Sequence, residues 1–248
     1  MSVVLVTGGT GTLGRHLVPL LGERGHEVRV LSRRPGAGTH VGDLSTGAGV
    51  AEAAAGAELI VHAASDRRMG RSDPAGTRNL LAAAGGCRHL LYISIVGVDA
   101  IPYLYYRKKL ACEQIIGASP VPSTVLRATQ FHELLAAVLG PLSRWPVAPL
   151  PLDARFQSVA AAEVAARAAE LLDGDPAGRA PDFGGPQVLG LRSIVRTWRR
   201  YHDGRPRNVL NIRWPGDLYH GLADGLHTCP EHADGRQTWA EFVAATAR

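Results

Sequence analysis

Short apolar runs alternate with stretches of helical periodicity over the first half of the chain. Leu59, Ile60 and Val61 follow one another without alternation, which is typical of a strand buried on both faces. The apolar runs predict strands at residues 3–7, 26–31, 58–63, 89–94 and 123–126, and a short strand or loop at residues 41–43. The periodic stretches between them predict helices at residues 13–23, 46–55, 73–84 and 105–116, of which the first is interrupted by Pro19.

This alternation indicates an α/β fold with a doubly wound parallel sheet, because parallel neighbours need right-handed helical crossovers. From about residue 129 strand signals fade, and helices are predicted at 131–139, 163–172, 191–201, 215–226 and 238–246, with a proline-rich loop over 141–151. We therefore predict a sheet core over residues 1–128. Residues 129–248 should form a small C-terminal substrate-binding cap and sheet-completing elements, within a single compact unit.

Composition narrows the choice of partners. The 248 residues include 27 Lys or Arg and 22 Asp or Glu, a formal net charge of +5. Arginines occur singly or in short pairs such as Arg33-Arg34, without a basic block interleaved with aromatics, so no nucleic-acid partner is predicted. The cysteines Cys87, Cys112 and Cys229 are widely spaced, which favours reduced thiols in a cytoplasmic protein. No membrane-spanning stretch or signal peptide is evident, so no membrane partner is predicted.

A glycine-rich turn follows the first predicted strand and opens the first predicted helix. Gly8, Gly11 and Gly14 are spaced three residues apart in it, and a second strand follows. Such glycines permit a sharp turn and the close approach of a pyrophosphate, which the amides of the helix N-terminus then face. The sequence therefore predicts a dinucleotide-binding Rossmann fold; a purely structural glycine turn is the alternative.

Ser32-Arg33-Arg34 ends the second predicted strand. NAD-preferring folds place an Asp or Glu here to accept from the ribose 2′-hydroxyl. A serine hydroxyl and two guanidinium groups instead suit a 2′-phosphate, so the sequence favours NADP (NADPH) over NAD. The alternative is that Arg33 and Arg34 are solvated surface residues.

Two further strand ends carry candidate cofactor contacts. The carboxylate of Asp43, followed by Leu44, can accept from the adenine amino group, or it can cap a helix or turn. Ala63 and Ala64, before Ser65, let the backbone lie flat against a ribose or pyrophosphate, although a small-residue turn explains them equally well.

Ser94, Tyr105 and Lys109 form a candidate catalytic set. Tyr105 and Lys109 are four residues apart and so lie on one helix face. An ammonium beside a phenol favours the phenolate, so the tyrosine can pass a proton near neutral pH, while Ser94 at a strand end can hold a substrate oxygen. This set suits hydride exchange between a nicotinamide and a carbonyl carbon. Y-x-x-x-K also arises by chance, and tyrosines are dense here.

Four segments together resemble the atypical short-chain dehydrogenase/reductases, specifically the NmrA-like and NAD(P)-dependent epimerase-like branch: residues 7–14 (TGGTGTLG), 94–98 (SIVGV), 105–111 (YYRKKLA) and 126–132 (LRATQFH). The resemblance continues through residues 183–186 and 238–242. It implies a bound NADP(H) or NAD(H). By the same resemblance, the implied cofactor contacts are Gly8, Thr10, Gly11, Thr12, Leu13 and Gly14 at the pyrophosphate, Asp43 and Leu44 near adenine, Ala63, Ala64 and Ser65 along the ribose, Lys109 at the nicotinamide ribose, and Thr129, Gln130 and Phe131 beside the nicotinamide.

Asp73 departs from the family pattern, in which an Asn often stands at this place. The branch also includes members that bind the dinucleotide without turnover. We predict an NADP-dependent oxidoreductase acting on a small organic carbonyl, alcohol or related C=X group, as a monomer or homodimer. The alternatives are a non-catalytic NADP(H)-sensing regulator and a redox-neutral epimerase or cyclase. The spacing of His227, Cys229 and His232 fits no common zinc pattern, so no metal is predicted.

Overall fold

The computed structural model describes residues 1–36, 38–66 and 68–247. The chain divides into two compact units: a first unit of residues 1–94, 103–127 and 164–181, and a second unit of residues 95–102, 128–163 and 182–247. In chain order the elements are β1 (Val3–Thr7), α1 (Gly14–Glu23), β2 (Glu27–Ser32), β3 (Thr39–Val41), α2 (Val50–Ala54), β4 (Leu59–His62), α3 (Asp73–Ala83), β5 (His89–Ile95), α4 (Leu104–Gly117), β6 (Ser123–Ala128), α5 (His132–Leu142), β7 (Val147–Leu150), β8 (Arg155–Phe156), α6 (Ala161–Asp173), β9 (Gly178–Arg179), β10 (Leu189–Gly190), α7 (Leu191–Tyr201), β11 (Asn208–Asn211), α8 (Asp217–Asp224) and α9 (Trp239–Thr246).

The main sheet is parallel and has seven strands in the order β3-β2-β1-β4-β5-β6-β9. β1 lies between β2 and β4, so the strand order reverses beside it and a crevice opens at its carboxyl end. Register pairs Thr7, the last residue of β1, with His62, the last residue of β4. This confirms the predicted α/β, doubly wound Rossmann fold.

The core of the first unit is aliphatic, because its central strands are covered by helices on both faces. β4 is buried along its whole length, as its unbroken apolar run predicts. Leu5, Ile60, Leu80 and Leu90 are fully buried in one cluster at the centre of this core. Burying each such side chain contributes about 1.5–3 kcal/mol, so this cluster fixes the strand ends that carry the candidate site.

Several predicted boundaries are wrong for identifiable reasons. α1 runs through Pro19 without ending there, in contrast to the interruption that the sequence predicts. The predicted loop over 141–151 contains β7, which pairs with β11 about sixty residues further on. β9 joins β6 through only two residue pairs, Thr124 with Gly178 and Val125 with Arg179. Such long-range pairing leaves no local periodicity in a short segment.

The second unit has its own apolar core, built mainly by α5, α7 and α9. Trp198 and Trp239 are buried in it and stack against each other, with ring centroids 6.2 Å apart. Trp145 and Trp214 are exposed and lie outside this core. None of the described helices combines the length and the apolar character that a bilayer crossing requires.

Candidate active site

The turn after β1 requires glycine at specific positions. Gly8 has φ +75°, and a Cβ there would lie 2.7 Å from backbone atoms of Ala63 and Ala64. A Cβ on Gly14 would lie 2.3 Å from the carbonyl oxygen of Gly8. No side chain fits at either distance, so Gly8 brings the carboxyl ends of β1 and β4 together and Gly14 packs the start of α1 against the turn.

Two backbone amides at the start of α1 have no hydrogen-bond acceptor among the described residues. The Gly11 amide donates to the Gly8 carbonyl over 2.9 Å, whereas the amides of Thr12 and Leu13 donate to no described residue. Free amides at the positive end of a ten-residue helix suit an anion. The turn therefore fits a pyrophosphate, as the sequence predicts, and Thr10 lies exposed beside it.

Ser32, Arg33 and Arg34 lie at the carboxyl end of β2, as predicted. The Arg34 amide donates to the Ser32 hydroxyl over 3.1 Å, which shapes the turn after the strand. Both arginine side chains are exposed, and neither forms an ion pair with a described residue. The two guanidinium groups are available to a ligand.

Asp43 caps a turn. Its carboxylate accepts from the Ser45 hydroxyl at 2.7 Å and from the Ser45 amide at 2.8 Å, and these hydrogen bonds lower the pKa of Asp43. The neighbouring Leu44 carbonyl accepts from the Asn79 amide over 2.7 Å. The turn-cap interpretation thus describes the Asp43 contacts, and a contact between this segment and adenine stays a prediction.

His62 links the two strand ends that form the crevice. Its Nδ1 lies 2.8 Å from the Thr7 hydroxyl, and its Nε2 lies 3.0 Å from the Thr77 hydroxyl. Thr77 donates its own proton to the Asp73 carbonyl, so the hydrogen-bonding pattern assigns the proton of His62 to Nε2. The Thr7 oxygen also accepts from the Ala64 amide. His62 is therefore a neutral structural group that holds Ala63-Ala64 in place.

This role predicts a pH dependence of stability. Burial, reinforced by Lys109, lowers the pKa of His62 to about 3, whereas an unfolded histidine titrates near 6.5. Between these values the unfolded chain binds more protons, so His62 alone should lower the free energy of unfolding by about 1.4 kcal/mol per pH unit as pH decreases from 6.5 towards 3. Urea unfolding from pH 8 to pH 4 measures this slope.

One variant and one control measure the contribution of His62 against the background of other buried histidines, such as His227, whose pKa burial lowers to about 4. His62→Gln should reduce the slope by about one proton. His220→Gln, at an exposed histidine, should keep it. An unchanged slope in His62→Gln would show that His62 does not contribute.

Tyr105 belongs to a second hydrogen-bonded chain in the first unit. The Ser65 hydroxyl lies 2.7 Å from the Asp73 carboxylate and 3.1 Å from the Tyr105 hydroxyl. Asp73 is 8% exposed, and its other oxygen accepts from the Asp66 amide over 2.7 Å. Ser65 has one proton and gives it to the stronger, charged acceptor, which leaves its oxygen free to accept from the phenol. The structure thus connects Tyr105 to Ser65, a predicted cofactor contact.

Lys109 is buried one helical turn after Tyr105 on α4. It is 4% exposed, its ammonium donates to the Ile93 carbonyl over 3.2 Å, and it lies 4.9 Å from the centroid of the Tyr92 ring. An ammonium has three N–H donors, so this anchored group retains further donors for a ligand.

Ser94 has a different environment from the one predicted. Its hydroxyl donates to the carboxylate of Glu113, which Arg127 also binds through two bonds of 2.9 and 2.7 Å. Ser94 and Arg127 are both buried, at 3% and 5% exposure. The only proton of the Ser94 hydroxyl is used within the protein, which disfavours the predicted role of donor to a substrate oxygen; that role stays a prediction.

Thr129, Gln130 and Phe131 lie in the second unit. The Thr129 amide donates to the Phe183 carbonyl over 3.0 Å, and the Gln130 carbonyl accepts from the Val159 amide. Phe131 forms an isolated parallel β-bridge with Val159. Their predicted contact with the nicotinamide stays a prediction. Across the described ranges, no three His, Cys, Asp or Glu side chains converge as metal ligands.

The sequence motifs do not reveal the roles of Asp73 and His62. Asp73 stands out in the sequence only as a departure from the family pattern, and no motif marks His62 as the group that joins the ends of β1 and β4. The sequence signal for Asp73 is its charge, because the family often carries a neutral Asn at this place.

Comparison with known proteins agrees with this geometry. Residues 8–175 match a family described as NAD(P)H-binding. A (4-alkanoyl-5-oxo-2,5-dihydrofuran-3-yl)methyl phosphate reductase from Streptomyces griseus is 32% identical over 218 residues, which cover 82% of this chain and 75% of that protein. A 3-beta-hydroxysteroid dehydrogenase from Mycolicibacterium neoaurum is 31% identical over 153 residues, which cover 46% of this chain and less than half, 42%, of that protein.

Among solved structures, an NADPH-dependent quinone oxidoreductase from Escherichia coli, complexed with NADPH, has a TM-score of 0.81 at 19% identity. The alignment covers 98% of this chain and 99% of that one. Other structures of the same fold contain NAD. The fold is therefore common to proteins that use either dinucleotide.

Proposed function

The chain belongs to the NAD(P)H-binding family, and from this premise we propose that it is an NADP-dependent oxidoreductase of the short-chain dehydrogenase/reductase type. Its substrate would be a small organic carbonyl, alcohol or related C=X compound. The observation that carries the proposal is the hydrogen-bonded chain from the Tyr105 phenol through Ser65 to Asp73. It belongs to the same unit as the glycine turn.

The dinucleotide would supply or accept a hydride at its nicotinamide. The glycine turn and the free amides of Thr12 and Leu13 would hold its pyrophosphate. Lys109, anchored on the Ile93 carbonyl, would donate to the nicotinamide ribose with its remaining N–H groups.

Tyr105 would act as the proton donor in reduction and as the acceptor in oxidation. When the phenol gives its proton to a substrate oxygen, the Ser65 hydroxyl can turn from Asp73 to the phenolate and stabilise it. The buried carboxylate of Asp73 then lacks its hydrogen bond from Ser65, which is costly for a buried anion. This cost favours return of a proton to the hydroxyl chain, so that Ser65 can donate to Asp73 again. Ser65 is thus proposed both as a cofactor contact and as the link between Tyr105 and Asp73.

The preference for NADP rests on Arg33 and Arg34. Both guanidinium groups are exposed beside Ser32, and neither forms an ion pair with a described residue. No carboxylate stands in the Ser32-Arg33-Arg34 segment to repel a 2′-phosphate. Two charge-assisted contacts to a phosphate are together worth about 1.5–3 kcal/mol or more.

Removing both arginines should therefore change cofactor selectivity. In the double variant Arg33→Ala and Arg34→Ala, the Kd for NADPH should rise by about 10–100-fold, while the Kd for NADH changes by less than about threefold. Fluorescence titration of both cofactors measures this. Arg29→Ala, at a half-buried arginine of β2 that already pairs with Glu27, is the control and should leave both affinities unchanged. An equal loss for both cofactors would contradict 2′-phosphate recognition.

The turnover test is NADPH oxidation with a panel of aldehydes, ketones, quinones and unsaturated lactones. The last class enters because the Streptomyces relative is a reductase of an oxo-dihydrofuran phosphate. NADPH consumption with formation of the reduced product supports the proposal. Product formation without net NADPH consumption would instead identify a redox-neutral epimerase or cyclase.

One observation favours a second candidate, a non-catalytic NADP(H)-sensing regulator. The Ser94 hydroxyl, predicted to hold a substrate oxygen, is bound to Glu113 inside the protein. A sensor would bind NADPH tightly, show no turnover with the whole panel, and retain a protein partner in a pull-down whose yield depends on NADPH.

A further inference from the structure

The positive charge of this protein is concentrated in one stretch of the second unit. Residues 192–213 contain seven arginines and one acidic residue, a net charge of +6, whereas the whole chain carries +5. The rest of the chain therefore carries −1. Although the arginines occur singly or in short pairs, they are unevenly distributed along the chain. The excess positive charge lies on α7 and on the segment that follows it and includes β11.

A cavity of about 320 Å³ lies against this stretch. Its lining combines three aliphatic side chains and three guanidinium groups: Leu152, Val195, Val209, Arg192, Arg196 and Arg199. Leu152 and Val195 are buried, at 8% and 4% exposure, so they form an apolar floor. The arginines are exposed and stand along one face of α7, at spacings of four and three residues.

The three arginines are not equivalent. Arg199 is fixed, since it donates to the Gly204 carbonyl over 3.1 Å and to the Arg207 carbonyl over 3.3 Å. Arg192 and Arg196 form no ion pair with any residue in the described part of the chain. Like charges at a spacing of four residues destabilise a helix, so an anion bound between Arg192 and Arg196 would relieve their repulsion.

We propose that this cavity binds a small amphiphilic anion. Arg192 and Arg196 hold its phosphate or carboxylate head, and its alkyl chain lies over Leu152, Val195 and Val209. A short alkyl phosphate suits this open cavity, because its head carries the charge that the arginines attract and its chain is apolar like the floor. The aliphatic floor favours such a ligand over single-stranded nucleic acid, which stacks its bases on aromatic side chains.

Isothermal titration calorimetry on the intact protein tests this site, with NADPH in excess so that the glycine turn is filled. Hexyl phosphate should bind at least about tenfold more tightly than inorganic phosphate, because two buried CH2 groups suffice for that difference. Hexanoate tests the carboxylate head in the same way. A single-stranded oligonucleotide tests the nucleic-acid alternative.

Two variants and one control locate the binding. The double variant Arg192→Gln and Arg196→Gln removes two exposed charges and should weaken hexyl phosphate binding by about tenfold or more. Val195→Ala, which removes two carbon atoms from the apolar floor, should weaken binding of hexyl phosphate but not of inorganic phosphate. Arg200→Gln removes an exposed charge from the same helix outside the cavity lining and should change the Kd by less than about twofold.

Three results would overturn the proposal. The first is that hexyl phosphate binds no more tightly than inorganic phosphate. The second is that Arg200→Gln weakens hexyl phosphate binding as much as the double variant does. The third is that neither hexyl phosphate nor hexanoate binds detectably at millimolar concentration. Preferential binding of the oligonucleotide would replace the proposed ligand with nucleic acid. None of these results depends on whether the protein turns over NADPH, so the test is independent of the proposed oxidoreductase activity.

Discussion

Tyr105→Phe should lower kcat for NADPH oxidation by about 10²–10⁴-fold, the usual contribution of a positioned general acid. The substitution removes only the hydroxyl that hydrogen-bonds to Ser65, and the ring keeps its place on α4. Dinucleotide affinity should therefore change by less than about threefold, because the pyrophosphate contacts lie elsewhere. Stopped-flow kinetics on the best substrate of the carbonyl panel, with a parallel NADPH titration, separates the two effects.

Tyr103→Phe is the matched control for this substitution. Its hydroxyl contacts only the Met69 sulfur among the described residues, at 3.4 Å, and it lacks the four-residue spacing to Lys109. The variant should keep kcat within about twofold of the parent. Equal activity of Tyr105→Phe and the parent protein would remove Tyr105 from the catalytic role.

Gly14→Ala should abolish NADPH binding, with a rise in Kd of about 100-fold or more. The added Cβ would lie 2.3 Å from the Gly8 carbonyl oxygen and 2.4 Å from the Gly9 Cα, and both neighbours are backbone atoms that cannot turn away. The start of α1 must then move off the turn, which takes the Thr12 and Leu13 amides away from the pyrophosphate. Such overpacking should also lower the free energy of unfolding by about 1–3 kcal/mol.

Gly22→Ala provides the control within the same helix. A Cβ at Gly22 meets no atom within 4 Å, so alanine should raise the free energy of unfolding by about 0.5–1 kcal/mol through its higher helix propensity. NADPH affinity should be unchanged. If Gly14→Ala also bound NADPH normally, the assignment of the glycine turn as the pyrophosphate site would be wrong.

Much of the first unit follows from the sequence, because its signals are local. The run Val3–Thr7 predicts β1 with its observed bounds, and the alternation of strands and helices predicts the parallel sheet of a doubly wound fold. The amphipathic pattern of residues 191–201 likewise gives α7 with the same ends. By contrast, β7 and β9 depend on partners distant in the chain, and no local pattern marks them.

Some features of the candidate site could likewise be predicted from the sequence, and others could not. The glycine turn could be predicted, since the glycine spacing, the close contact of Gly14 with Gly8 and the free amides at the helix start all involve residues close together in the chain. The chain of Tyr105, Ser65 and Asp73 could not, because its members are forty and eight residues apart and meet only after the sheet forms. The burial of Ser94 against Glu113 and Arg127 is also a tertiary feature, and it changes the role expected from spacing alone.

The most direct test of the central claim is a crystal structure with NADPH bound, because it requires no knowledge of the substrate. Our account predicts the pyrophosphate on the Thr12 and Leu13 amides, the 2′-phosphate between Arg33 and Arg34, and the Tyr105 hydroxyl facing the nicotinamide C4. A carbonyl oxygen placed at that carbon would then lie about 3 Å from the phenol. A phenol directed away from the C4 atom, with the cofactor fully ordered, would contradict an oxidoreductase that uses Tyr105.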